Sequence, residues 1–381
     1  MMRNRVLKLV PVALTLLVAG ILSAPAPPIP SRYSGEAQKL ADPTYGPLPG
    51  MSNLYNSYWG EDRPFPGNIT DPVFPTQYGP PAEDDYAWQN LLSAEWVIFE
   101  FYQQGIEAFS DEDFVKIGMP NTTRRRLMEI RNNEAGHLRI FQNNISPTSI
   151  KPGPCKYVFP LTDPLSYLAF LTVLEISSMV FLSGLVQQVK SKTSAAAMLA
   201  IAETETRHEV WALMDLWKVN PFGGPADTMF PYANQILDST NNLIVPGSCP
   251  PENPEYPFPR QKLPALSAAL DTKTLEPGYN IRLSFPDPTN QPVFKKGTQY
   301  YAVFFHSVFN ISVPIETRNW PEEDVWTMIP AVIDTKGAIV ALLADKPGAP
   351  TDDSVVAGPA VILEQPAELG VALLRASAQQ G

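Results

Sequence analysis

The chain reads as an α+β protein: a four-helix bundle with one long connection between its second and third helices, then a small antiparallel β-sandwich. Three observations predict this. The 41 prolines avoid one window, four long helical runs fill that window, and short β-branched or aromatic runs follow it. Proline removes a backbone donor and clashes with the preceding helical turn, so a proline-poor window is where long helices can exist. Residues 86–218 hold only 6 of the 41 prolines, and none interrupts a helical run.

The first helix is expected over about 85–109, capped by Asp84 or Asp85, and the second over 123–143, capped by Thr122 or Thr123. The third opens with Asp163-Pro164, a cap residue followed by proline at the first helical position, and is expected to reach about Lys190. The fourth is expected over 194–218, stopping before Asn220-Pro221-Phe222-Gly223-Gly224. The connection 145–162 is long and proline-rich, which lets the second and third helices run parallel, an arrangement with one crossover. Beyond residue 261 the runs 279–285, 299–307, 326–334, 337–345 and 354–364 read as strands, with turn signals such as Asp287-Pro288, Lys296-Gly297 and Lys336-Gly337 between them. That spacing suggests a small sandwich.

Four segments result: a signal peptide over 1–24, a Pro/Tyr-rich irregular arm over 25–84, the bundle with a trailing loop over 85–260, and a sandwich-like domain over 261–381. The first rests on Arg3, Arg5 and Lys8 ahead of the uncharged apolar run 12–24. That run is shorter than the roughly 20 residues needed to span a bilayer. Pro25 and Pro27 leave the cleavage point open. A secreted protein, extracellular or wall-associated, is therefore expected, with no membrane span once the signal is removed. The sequons at Asn68, Asn121, Asn144 and Asn310 are glycosylation candidates on that route.

Composition excludes other classes. With 28 Lys+Arg against 39 Asp+Glu the net charge is -11, which argues against a nucleic-acid partner. Two cysteines cannot build a disulfide-scaffolded miniprotein or a Cys-rich zinc module. Cys155 precedes the third helix and Cys249 follows the fourth, so antiparallel packing of those helices brings both to one end of the bundle. A bridge there is geometrically feasible and would be worth roughly 4–5 kcal/mol by chain entropy. Buried free thiols are the alternative.

The third helix is apolar on nearly every side, with one ionisable residue, Glu175, at its middle. A carboxylate in such a place is costly unless protonated, paired or bound to a metal. The second helix carries Glu134-Ala-Gly-His137 and the fourth Glu205-Thr-Arg-His208, each pair at i,i+3 on its helix's apolar stripe. The first helix offers Glu95 in the stripe Leu91, Leu92, Glu95, Ile98, Phe99, Tyr102. One Glu on each of two helices and Glu-x-x-His on each of two others is the ligand set of a di-iron or di-manganese carboxylate bundle. Carboxylates can bridge two cations and neutralise them, while each imidazole ligates one ion terminally. Two metal ions, iron or manganese, are therefore expected on Glu95, Glu134, His137, Glu175, Glu205 and His208. Catalytic residues are not assigned. Tyr102 lies on the inner face, where core packing and a supporting role behind the ligands both remain open. Glu100 falls off that face, Glu203 and Arg207 read as a surface i,i+4 ion pair, Glu209 borders the stripe, and His306 reads as a structural histidine.

The helical stretches 91–109, 126–141, 163–189 and 202–216 resemble the ferritin-like domain family found in desiccation-related and fungal secreted proteins. In the tail, Tyr300-Tyr301-Ala302-Val303-Phe304-Phe305-His306, the stretch from Lys336-Gly337 to Pro347-Gly348-Ala349-Pro350, and Asp353-Ser354-Val355-Val356-Ala357-Gly358-Pro359 look like its stress-response and late-sexual-development branch. The resemblance implies an extracellular or wall-associated protein linked to stress, starvation or sexual development, and transfers the ligand pattern to the same six residues.

Three activities fit these features. A dinuclear oxidoreductase would act on a small oxidant, O2 or peroxide; peroxide dismutation is the simpler, since the chain shows no flavin or nicotinamide fingerprint and no Cys-rich relay. The second is iron oxidation or sequestration. The third is a wall or protein interaction module with a structural or vestigial metal site.

Overall fold

The computed structural model describes residues 71–159, 163–223, 228–270, 277–333 and 337–364. The expected signal segment, Asn68, the Lys336-Gly337 turn's first residue, most of the arm and the end of the chain lie outside the described residues.

The helices are α1 (Asp85–Ala108), α2 (Asp111–Lys116), α3 (Thr123–Asn144), α4 (Pro164–Leu185), α5 (Lys192–Trp211) and α6 (Ala233–Ser239). The long ones, α1, α3, α4 and α5, make the bundle: α1 packs on α3, α4 packs on α5, and α1–α4 and α3–α5 contacts close it. α6 lies against α4 on the outside. This explains why α4 is apolar all round. It is long and apolar enough to cross a membrane by length and composition, but most of it is buried inside the protein.

Helix ends differ from expectation in instructive ways. Asp163 accepts from Leu165 N at 2.9 Å and Ser166 N at 3.0 Å, ahead of Pro164. Neither Asp84 nor Asp85 caps α1. Asp84 instead accepts from Lys190 N at 2.8 Å and Ser191 N at 3.1 Å, and Asp85 turns to Ser146 and Ser149. α4 stops at Leu185, where Gln187 N and Gln188 N turn to Gly184 O and Leu185 O, and α5 starts early, with Ser191 accepting from Thr193 N and Ser194 N. Thr122 makes no side-chain cap either, and the Thr123 hydroxyl donates to Pro120 O at 2.7 Å. The fourth long helix is α-helical only to Trp211 and continues as a π-helical turn, Ala212–Leu216.

Residues 145–159 strap across the bundle. Gln89 Nε2 donates to Ile150 O at 2.7 Å and Trp96 Nε1 to Pro152 O at 3.1 Å, which holds the strap on α1. Cys155 and Cys249 form a disulfide, and Asn253 pairs with Gly153 through both ends of its amide, so the strap is also joined to the loop after α6.

The strands are β1 (Ser267–Leu270), β2 (Asn280–Ser284), β3 (Tyr300–His306), β4 (Phe309–Ile315), β5 (Val325–Met328), β6 (Gly337–Ala344) and β7 (Val355–Glu364). They form two antiparallel sheets, β1-β2-β5 and β4-β3-β6-β7. Alternate residues of β6 face opposite ways. Ile339, Ala341 and Leu343 join Ile281, Leu283 and Val325 of the smaller sheet, whereas Ala338, Val340, Leu342 and Ala344 join the apolar cluster of the helical half. The larger sheet is thus covered on both faces, which accounts for the unbroken apolar run in β6. Opposite Leu342, β7 inserts Gly358-Pro359 as a bulge, and Gly358 takes φ +110°, a backbone state open to glycine.

Strands β1 and β4 were not anticipated by the pattern. β4 carries Pro314, which its place at the edge of the sheet tolerates. The run expected over 326–334 pairs only as Val325–Met328 and then gives way at Pro330.

Candidate metal centre

The inward stripes of four helices meet at mid-bundle. Glu95 comes from α1, Glu134 and His137 from α3, Glu175 from α4, and Glu205 and His208 from α5. Each of these residues is 5% exposed or less. An i,i+3 pair occupies one helical face, so α3 and α5 each deliver a carboxylate and an imidazole together.

The six residues form two overlapping groups. Glu95, Glu134, His137 and Glu205 bring ligand atoms within 4.8 Å of one another, and so do Glu134, Glu175, Glu205 and His208. The distances show which carboxylates belong to both. Nδ1 of His137 lies 2.9 Å from Glu134 Oε2, 3.2 Å from Glu95 Oε1 and 3.2 Å from Glu205 Oε1. Nδ1 of His208 lies 3.0 Å from Glu134 Oε1, 3.5 Å from Glu205 Oε2 and 3.6 Å from Glu175 Oε2. Glu134 and Glu205 therefore offer one oxygen to each group, while Glu95 and Glu175 each serve one.

Do these atoms fit a metal pair? Oε1 of Glu134, Oε2 of Glu175, both carboxylate oxygens of Glu205 and Nδ1 of His208 are buried and have no hydrogen-bond partner. Orphaned buried polar atoms are rare and costly. Here they converge, and Nδ1 of His208 faces Glu134 Oε1 at 3.0 Å without hydrogen-bond geometry. Metals hold such N and O atoms at about 2.0–2.2 Å, so donors on opposite sides of an ion stand roughly 4 Å apart, which is the scale of the groups. Four carboxylates also balance two divalent charges. The donor set fits two cations.

The proton balance points the same way. Burial, reinforced by the neighbouring Glu134, pushes the Glu95 carboxyl well above the usual range. Burial and then Glu205 do the same to Glu175. For Glu134 and Glu205 burial is overcome by the two imidazoles, and both carboxyls sit below the usual range. Burial likewise opposes charge on His137 and His208, but the Glu134 carboxylate and the other facing carboxylates raise both well above the ordinary imidazole value. Imidazoles and carboxyls thus shift one another's proton affinity inside an otherwise apolar bundle.

Three contacts support these side chains. The Tyr102 hydroxyl donates to Glu175 Oε1. Burial first, and the Glu175 charge second, hold the phenol well above its ordinary pKa, so it remains a donor. Trp217 Nε1, just past the π-helical turn, donates to Thr172 Oγ1 at 2.7 Å and ties the end of the His208 helix to α4, one turn before Glu175. Nε2 of His208 meets Asn133 Oδ1 at 3.3 Å. Of these, only the inward placement of Tyr102 had a sequence signal.

The other singled-out residues lie elsewhere. His306 Nδ1 bonds the Ala338 carbonyl at 2.9 Å, in the β region. Glu100 and Glu209 are half-buried and belong to neither group. The expected Glu203–Arg207 ion pair does not form among the described residues: Arg207 turns back to the Thr204 hydroxyl at 3.2 Å. Asn121, Asn144 and Asn310 are exposed.

Residues 84–214 match the Ferritin-like domain family. The chain is also similar to Protein rds1 of Schizosaccharomyces pombe strain 972, with 26% identity over 304 residues that cover 78% of this chain and 70% of the relative. Together the two matches support a fungal ferritin-like family. With its helices, its buried carboxylate and histidine groups and this match, the stretch 84–214 is similar to a ferritin-like domain, and a separate antiparallel β region follows it.

Proposed function

We propose that this domain binds two iron or manganese ions and uses them in redox chemistry on a small oxidant, dioxygen or peroxide. One observation carries the reading: unpartnered buried donor atoms from three helices converge, with Glu95 of the fourth beside them, on two overlapping groups that share Glu134 and Glu205. Glu95 and His137 would be the terminal ligands of one ion and Glu175 and His208 of the other. Oxygen-rich donors with two imidazoles suit iron or manganese better than a thiolate-preferring metal. When bound, such a pair supplies Lewis acidity and one-electron redox steps.

The rest is the work of the chain. Glu134 and Glu205 hold the two positions at a set spacing. Tyr102 occupies Glu175 Oε1 and leaves Oε2 facing inward. Leu127, Leu138, Leu168, Leu171, Met198 and Ile201, all buried, keep water from the surroundings of the site.

An extracellular or wall setting is part of the proposal. The basic-apolar amino terminus and the Cys155–Cys249 disulfide support it, because disulfides persist in oxidising compartments. The link to stress or sexual development rests on the resemblance of the tail segments alone.

The test is elemental analysis of the purified full chain, with peroxide-consumption and iron(II)-oxidation assays on wild type and Glu175→Ala. Two ions per chain and turnover lost in the variant are expected. Two ions with no turnover would reject the redox half, and a metal-free wild type after supply of both metals would reject the whole.

A further inference from the structure

Asn133 immediately precedes Glu134 on α3 but stands on the exposed edge of the helix, off the inward stripe. Its amide Nδ2 donates to the Glu129 carbonyl one turn back, at 3.2 Å. That bond sets the amide's orientation, and the oxygen end meets Nε2 of His208 at 3.3 Å. An amide oxygen can only accept, so the hydrogen belongs on Nε2. A neutral imidazole carries a single ring hydrogen, which leaves the Nδ1 lone pair directed at Glu134, Glu175 and Glu205. Consecutive residues of one helix thus address both nitrogens of one ring, Asn133 at Nε2 and Glu134 at Nδ1.

We propose that Asn133 is a positioning residue of the metal centre, holding His208 in the Nε2–H tautomer and thereby setting the affinity of the Glu175–His208 half of the pair. The inference rests on the dinuclear reading above. A ligand imidazole must present a lone pair in a fixed direction, and its other ring nitrogen is where the protein controls that. Loss of such a partner typically costs about 10–100-fold in metal affinity. The position is exposed and helical, so alanine there leaves packing and helix propensity intact.

The experiment titrates the metal-stripped full chain with Co(II), followed by absorption and calorimetry, for wild type, Asn133→Ala, Asn133→Asp, His208→Ala and the double variant Asn133→Ala/His208→Ala. Wild type takes up two ions. Asn133→Ala binds one of them about 10–100-fold more weakly and the other unchanged, and Asn133→Asp, which keeps an acceptor oxygen, restores the weakened step. His208→Ala abolishes that same step, and adding Asn133→Ala to it changes nothing more. Equal affinities in wild type and Asn133→Ala overturn the assignment while leaving the dinuclear reading standing. So does a loss that Asn133→Asp fails to restore. A wild type that binds no Co(II) overturns the dinuclear reading and this inference with it.

Discussion

The phenol of Tyr102 on α1 donates its hydrogen bond to Oε1 of Glu175 on α4, in a place where both side chains are 1% exposed or less. The bond leaves Glu175 a single free oxygen, which under the proposed dinuclear reading would make it a terminal rather than a bridging ligand. Tyr102→Phe keeps the ring and removes the donor. An orphaned buried carboxylate oxygen costs about 1–3 kcal/mol, and outer partners of ligands are worth about 10–100-fold in metal affinity. The expected outcome is a folded chain with a lower melting temperature and weaker uptake of one of two ions, read by thermal unfolding and metal titration.

Sharing of carboxylates predicts stoichiometry. Glu205 presents one oxygen to His137 and the other to His208, at 3.2 and 3.5 Å. Glu95 faces only the His137 group. Glu205→Ala should therefore lose both ions and Glu95→Ala only one. Elemental analysis after gel filtration checks this. Equal loss in the two variants would contradict the division into bridging and terminal ligands.

The six-residue cluster was legible because its signal is short-range: Glu-x-x-His places two side chains on one helical face whatever the tertiary structure does, and Glu175 stands out against a wholly apolar helix. The contacts that brace those ligands carry no such signal. Asn133 is an exposed polar residue like its neighbours, and Thr172 and Trp217 are 45 positions apart. Long strands read correctly where alternation or apolar content was strong. β4 did not, because Pro314 reads as a break and only its edge position makes it harmless. Nor did β1, four residues whose pairing with β2 decides their state. α4 falls short of Lys190: its end tightens into a turn through Gln187 N and Gln188 N, and the segment beyond, Lys190 N and Ser191 N, serves Asp84 across the fold.

Metal uptake should depend steeply on pH. In the metal-free site His137 and His208 have raised pKa values, so their contribution to stability is fully present below the unfolded imidazole value and is lost as pH rises through the raised folded values. Glu95 and Glu175, also raised, hold protons as well. Ligation needs neutral imidazoles and ionised carboxyls, so uptake of dications displaces protons from these groups. Apparent affinity should thus increase with pH through neutrality until those folded pKa values are passed. Calorimetric titration in buffers of different ionisation enthalpy counts the protons. Uptake independent of pH would contradict the raised proton affinity of these groups.

Asp85 makes a separate prediction about the frame that holds the site. Its carboxylate accepts from Ala82 N at 2.7 Å, Ser146 N at 2.9 Å, and the hydroxyls of Ser146 and Ser149, each at 2.5 Å. Burial opposes its charge, but these donors win and hold its pKa below the usual carboxylate range. The linkage sign follows from that depression. Stability from Asp85 is present above the unfolded value near pH 3.9 and is lost as pH falls through the lower folded value. Removing the acceptor unlatches the start of α1 from the start of the crossover strap. Hydrogen bonds to a charged group are worth about 1.5–3 kcal/mol each in favourable cases, and their losses overlap when one group makes them all. Asp85→Ala should therefore cost about 2–4 kcal/mol at neutral pH. The gap between wild type and variant should close as pH drops below the folded Asp85 value, where the wild-type carboxyl is itself protonated. Denaturant unfolding at a series of pH values measures this directly. A difference that stays constant into acid would assign the loss to packing rather than to the carboxylate.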